Sequence, residues 1–210
     1  MKIVSRGYVE GFYYKPRVDM EVLQEFHEGI IALSACLAGE VPRYIQKGLY
    51  DEAKKSALKY EAVFGKGNYF LELQDHGIPE QKTVNQALLR MSRELDIPLV
   101  ATNDCHYLYR EDAAAQEVLM CIQTGKTLQD ETRMRMETEE LYVKSEAEML
   151  SLFADCPQAV HQAGEIAARC QVTFEFGKLH LPRFPIETGE TALEMLTRLC
   201  REGLKARYSD

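Results

Sequence analysis

The sequence predicts an α/β chain of parallel strands that forms part of a barrel rather than a whole one. Two observations predict it. Three apolar runs, Gly29 to Ala35 (GIIALSA), Asn68 to Leu73 (NYFLEL) and Ile97 to Thr102 (IPLVAT), are each followed by an apolar stripe at helical spacing. Strict alternation of strands and helices calls for parallel pairing with right-handed crossovers, and near-continuous apolar runs fit strands covered on both faces. A closed eight-unit barrel takes about 250 residues, so 210 residues carrying three such units read as a part.

The elements follow in order. Tyr50, Ala53, Ala57, Tyr60 and Phe64 share one face of a helix over 50–64, and Gly65 supplies its stop. After the second run, Pro79 suits the first turn of a helix to about Leu95, striped by Val84, Leu88, Met91 and Leu95. The polar loop Asn103 to His106 leads to a helix from about Glu111 to Gln123, lined by Ala115, Val118, Leu119 and Ile122 and ended by Gly125. Thr127 to Glu139 is polar, and Leu141-Tyr142-Val143 reads as a fourth short strand. Ser145 and Glu148 make a capping box for a helix to about Ala154, and a further helix runs from Pro157 to Cys170. Phe174 to Glu187, with Gly177, Pro182 and Pro185, reads as a linker. Thr191 and Glu194 open a last helix through Leu193, Leu196 and Leu199, with no later segment in the chain to pack on.

Composition narrows the function. The 33 acidic and 25 basic residues give a net charge of -8, which argues against a broad grip on duplex phosphate. The longest mostly apolar run, Gly29 to Gly39, falls short of the roughly 20 residues a membrane span needs. Met1 to Pro16 lacks the apolar core of an export signal, so a cytoplasmic chain without a membrane partner is expected. The six cysteines form no C-x-x-C pair and read as reduced, mostly small core residues.

In parallel α/β folds the functional groups gather where strands end. Asp104 and His106 stand two residues apart after the third run, so in extended backbone an anionic oxygen and an imidazole point to one side. Cys36 ends the first run, and a thiolate beside an imidazole and a carboxylate suits zinc better than magnesium. Each has a plainer reading: a turn cap for Asp104, a satisfied histidine for His106, a buried small residue for Cys36. His76, near Glu72 and Asp75, is a further candidate ligand or a structural turn residue. No Gly-rich phosphate loop, G-x-S-x-G elbow or H-E-x-x-H pair is present. Tyr13-Tyr14-Lys15-Pro16-Arg17 mixes aromatic and basic side chains; it reads as a nucleic-acid contact or as an ordinary solvated turn.

GFYYKPRVD (11–19), EGIIALSACLAGEVP (28–42), NYFLELQDHGIPEQ (68–81), IPLVATNDCHYL (97–108), AQEVLMCIQTGKTL (115–128), LYVKS (141–145) and LHLPRFP (179–185) resemble consecutive segments of the bacterial DNA polymerase III alpha family. The resemblance implies that residues 1–175 are the C-terminal portion of a PHP (polymerase and histidinol phosphatase) domain, a distorted (β/α)7 barrel. It implies that 176–210 are a linker and first helix towards the polymerase palm. Cys36, Asp104 and His106 match metal ligands of that family, with zinc or manganese the implied ion; His76 matches none. The family's H-x-H pair and its later His and Glu ligands have no counterpart here and are expected upstream, with Met1 at an internal methionine of the parent. The carboxylates that hold magnesium for nucleotide addition are expected beyond Asp210. The parent is thus expected to be a DNA-directed DNA polymerase working on DNA with other replicase subunits, its PHP domain a 3′-5′ exonuclease, and this segment unable to polymerise DNA alone. Two other classes compete: a stand-alone PHP phosphoesterase of the histidinol-phosphatase kind, and a non-catalytic scaffold.

Overall fold

The computed structural model describes residues 1–208 and divides into two units, residues 1–170 and the residues from 171 onward. In the first unit β1 (Ala32–Leu33), β2 (Tyr69–Leu73) and β3 (Leu99–Ala101) form a parallel sheet in the order β1-β2-β3. Ala32 lies opposite Tyr69 and Leu71 opposite Leu99. Helices α1 (Lys2–Val9) and α2 (Met20–Phe26) precede β1, and α3 (Glu40–Gln46) and α4 (Tyr50–Phe64) connect it to β2. Helix α5 (Pro79–Leu95) crosses from β2 to β3, and α6 (Ala113–Thr124), α7 (Glu146–Leu152) and α8 (Pro157–Arg169) follow.

The central strand explains the core. β2 has a neighbour on each side, and Tyr69, Phe70, Leu71 and Leu73 are all buried. Successive strand side chains point to opposite faces, so burial of Tyr69, Phe70 and Leu71 in succession means that both faces are covered there, while Glu72 is half-buried. Ala53, Ala57 and Phe64 of α4 and Val84, Leu88 and Met91 of α5 bury the stripes their spacing predicts. Ala159 and Val160 bring α8 into the same core, packed on β3. Ser145 caps α7, with Glu148 N–H donating to its Oγ at 3.3 Å and its own N–H donating to Glu148 Oε2 at 2.7 Å. Arg169 at the end of α8 donates to Gly67 O at 2.8 Å and also holds Asn68 Oδ1.

Four expectations are corrected. β1 is two residues long rather than seven, and its Leu33 is 37% exposed, because only β2 pairs with it and its outer edge is open. The fourth strand is reduced to one parallel bridge between Tyr107 and Tyr142. On α6 the side chains facing inward are Met120 and Cys121, whereas Leu119 and Ile122 are 59% and 72% exposed. Of the six cysteines only Cys121 is buried; Cys105 sits in a loop, and Cys170 and Cys200 lie at a helix end and on an exposed helix.

The second unit begins with irregular chain and ends in α9 (Ala192–Tyr208). Thr191 and Glu194 form the predicted capping box, Thr191 N–H donating to Glu194 Oε2 at 2.8 Å. No residue of α9 is buried.

Candidate functional site

Polar side chains collect where the three strands end. Glu72 and Gln74 stand two residues apart at the end of β2, so they share one side of the sheet, and the bend at His76 follows. Gln74 Nε2 donates to Glu72 Oε1 at 3.0 Å and to Thr102 Oγ1 at 3.3 Å, while Glu72 N–H donates to Ser34 Oγ at 2.8 Å. Side chains thereby tie the ends of all three strands together.

His76 closes this layer and is only 4% exposed. Its Nε2 lies 2.9 Å from Asn103 O, and a carbonyl can only accept, so Nε2 carries the proton. Its Nδ1 then accepts from Gln81 Nε2 at 2.8 Å, and Gln81 Oε1 accepts from His76 N–H at 2.8 Å. Both ring nitrogens are occupied by protein. Burial holds the ring below the usual histidine pKa, against the opposing hydrogen bond to Asn103. It is a structural histidine, the plainer of its two readings.

The end of β3 is built differently. Asn103 is buried, and its Nδ2 donates to Glu140 O at 2.9 Å and to Tyr142 O at 2.7 Å, fixing the returning segment beside the loop. His106 N–H donates to Leu141 O at 2.8 Å. Between them Asp104 has φ +44°, in the left-handed region that aspartate tolerates better than most residues. That reversal brings Asp104 O to 2.6 Å from His106 Nδ1. The carbonyl requires the proton on Nδ1, so the neutral tautomer of His106 carries its lone pair on Nε2, and the ring and the Asp104 side chain are both exposed. A ring nitrogen donating to a backbone carbonyl while the other stays free is the usual second-shell arrangement of a metal-bound histidine.

Cys36 follows β1 through a turn in which Ala35 has φ +66°, and a Cβ on Gly39 would meet Ser34 O at 2.3 Å, so the turn closes only around glycine. The half-buried thiol lines a cavity of about 10 Å³ with Glu72, Gln74 and Asn85, room for about one water. Gln74 Oε1, which belongs to a lining residue, is buried without a hydrogen-bond partner. β2 stands between β1 and β3, so the strand before Cys36 and the strand before the Asp104–His106 loop are not neighbours in the sheet. Among the described residues no group of three or more His, Cys, Asp or Glu side chains is gathered to hold a metal ion. The donor types of Cys36, Asp104 and His106 suit zinc.

Sequence reasoning missed Asn103, whose backbone carbonyl holds the His76 ring and whose buried side-chain amide fixes the 140–142 segment. The signal was the second polar residue in a row after Thr102, at a point where the strand is still buried.

Comparison with known proteins adds the lineage. The PHP domain family model matches residues 1–76. The DNA polymerase III subunit alpha of Borreliella burgdorferi is 45% identical over 213 residues, covering 100% of this chain and 18% of that protein. Those of Treponema pallidum and Thermus aquaticus are 43% and 41% identical, each again covering 100% of this chain and 18% of their own length. The chain is related along its whole length to DNA polymerase III alpha subunits. It spans about a fifth of the length of those relatives. Of the three candidate ligands only Cys36 lies inside the PHP match; Asp104 and His106 lie in the alpha-subunit alignment beyond it.

Proposed function

We propose that the chain serves within a replicative DNA polymerase III alpha subunit, with residues 1–175 as the later part of a (β/α)7-type PHP barrel and 176–210 leading towards the palm. The single observation that carries this is identity of 41 to 45% over alignments that cover the whole chain. The open outer edge of β1 agrees with it, since a barrel needs another strand there. The parent enzyme would carry out template-directed DNA synthesis in the cytoplasm with magnesium at palm carboxylates, alongside other replicase subunits, and proofread 3′-5′ at the PHP domain.

In this reading Asp104 supplies an anionic oxygen, His106 its Nε2 lone pair and Cys36 a thiolate to a divalent-metal centre, zinc or manganese, completed by residues of the rest of the barrel. Such an ion supplies a water activated near neutral pH and charge neutralisation on a phosphodiester. The residues of this chain act before any ion arrives. Asp104 O fixes the tautomer of His106, Asn103 holds the loop, and the Glu72–Gln74–Thr102 network keeps the strand ends in register.

Zinc titration against a chromophoric chelator tests the site. The chain is expected to bind zinc weakly, and Asp104→Ala and His106→Ala to bind it at least about tenfold more weakly still. Equal binding by all three proteins would remove the site. It would favour the scaffold reading instead. Primer extension by the chain alone is expected to match a no-enzyme control.

A further inference from the structure

The loop between α1 and α2 places aromatic rings where the hydrophobic effect does not. Tyr8 in the last turn of α1 is 60% exposed, and Phe12, Tyr13 and Tyr14 of the loop are 58%, 65% and 83% exposed. The loop is nonetheless tightly built: Arg17 N–H donates to Gly11 O at 3.2 Å, and Tyr13 N–H to Lys15 O at 3.1 Å. A Cβ on Gly11 would meet Arg17 O at 2.0 Å, so the two ends of the loop touch backbone to backbone. At its tip Tyr14 has φ +58°, a conformation rare for a bulky residue. Strain of this kind persists when surrounding structure imposes it, and it concentrates at ligand-binding places.

The charges are as specific as the rings. Arg6 is consumed by Glu10 and Glu25 at 2.5 and 3.3 Å. Lys15 and Arg17 are exposed and make no ion pair with a carboxylate among the described residues. The Arg17 guanidinium lies 5.5 Å from the Tyr13 ring centre, and Tyr13 meets Tyr14 edge to face at 4.6 Å. Two unpaired cations flanking exposed rings match a ligand that alternates flat aromatic groups with negative charge.

From this arrangement we infer that the Gly11–Arg17 loop binds single-stranded nucleic acid, bases stacking on Tyr13 and Tyr14 and phosphates meeting Lys15 and Arg17. Stacking platforms with interleaved cations are how unpaired strands are held without sequence preference. A duplex hides its base faces and offers mainly phosphate, which a chain of net charge -8 with two free cations at this place is poorly suited to grip. The surface is separate from the strand-end groups, and binding here needs no metal.

The test is fluorescence anisotropy of a labelled twelve-residue oligothymidylate with the 210-residue chain, metal-free, over a range of salt. The wild type is expected to bind it. Tyr13→Ala and Tyr14→Ala are expected to weaken binding about five- to more than a hundredfold each, and Tyr14→Trp to retain it. Changing Lys15 and Arg17 together to Ala should flatten the plot of log affinity against log salt by about 1.4. Circular dichroism confirms that each variant is folded; should Tyr14→Ala not fold, the Lys15/Arg17 pair and Tyr14→Trp still decide. The inference is overturned by no wild-type binding, by ring variants that bind as the wild type does, or by duplex competing as well as single strand. Ring-dependent self-association without oligonucleotide also overturns it, because the surface would then belong to a second copy of the chain.

Discussion

His76 and His106 follow adjacent parallel strands, yet the fold uses them in opposite ways. His76 is buried, with both ring nitrogens taken by Gln81 and Asn103. His106 is exposed, with Nδ1 tied to Asp104 O and the lone pair of its neutral tautomer on Nε2. The difference teaches that a histidine at a strand end is classified by what its second nitrogen meets, which sequence position alone does not reveal.

The widest separation between the two should appear in stability. His76→Ala strands the Gln81 amide and Asn103 O inside the core and is expected to cost about 3 kcal/mol, read as a lower urea midpoint. His106→Ala should stay within about 0.5 kcal/mol of the wild type; similar losses for both would break the comparison. Next in size, Asn103→Ala removes two donors to Glu140 O and Tyr142 O and is expected to cost about 2 kcal/mol. Hydrogen exchange at the His106 amide, bonded to Leu141 O, should quicken in that variant.

The acid response sharpens the contrast further. His76 has its folded pKa below the ordinary value, so as pH falls the unfolded chain takes up the proton first. Its contribution is present in full above the ordinary histidine pKa and declines as pH drops from there towards the lowered folded value, with a slope of up to about 1.4 kcal/mol per pH unit. Melting curves between pH 7.5 and about 5 should show this slope in the wild type and in His106→Gln, and lose it in His76→Gln. The smallest effect is the opposite in sign. Asp104→Gly relieves the left-handed φ and should stabilise by about 0.5 kcal/mol while weakening zinc binding, which thermal melts and the chelator titration would report together.

How far the sequence could be read varies with the kind of signal. Helices α4 and α5 begin and end where Gly65, Pro79 and their apolar stripes place them, because local chemistry and core packing agree there. The short helices α1, α2 and α3 escaped notice; α2 buries no residue, and α3 carries Pro42 among seven residues, so neither displays a long stripe. On α6 the period was right and the face wrong, since periodicity shows that Leu119 and Ile122 share a side without saying what, if anything, covers it. At the site, residue types named Asp104 and His106. The tautomer lock, the left-handed turn and the Asn103 brace depend on backbone geometry that no residue spacing encodes.

The packing of α8 on β3 sets an order of events during synthesis. β3 ends at Ala101, but the helix that covers it spans Pro157–Arg169, so the ribosome must add the whole intervening stretch first. At about 5 to 20 residues per second that is a wait of several seconds. Through it one side of a nascent parallel sheet stays wet and sticky, the state in which chaperones are recruited and aggregation begins. The Arg169 clasp on Gly67 and Asn68 is therefore the late step that marks the first unit as finished.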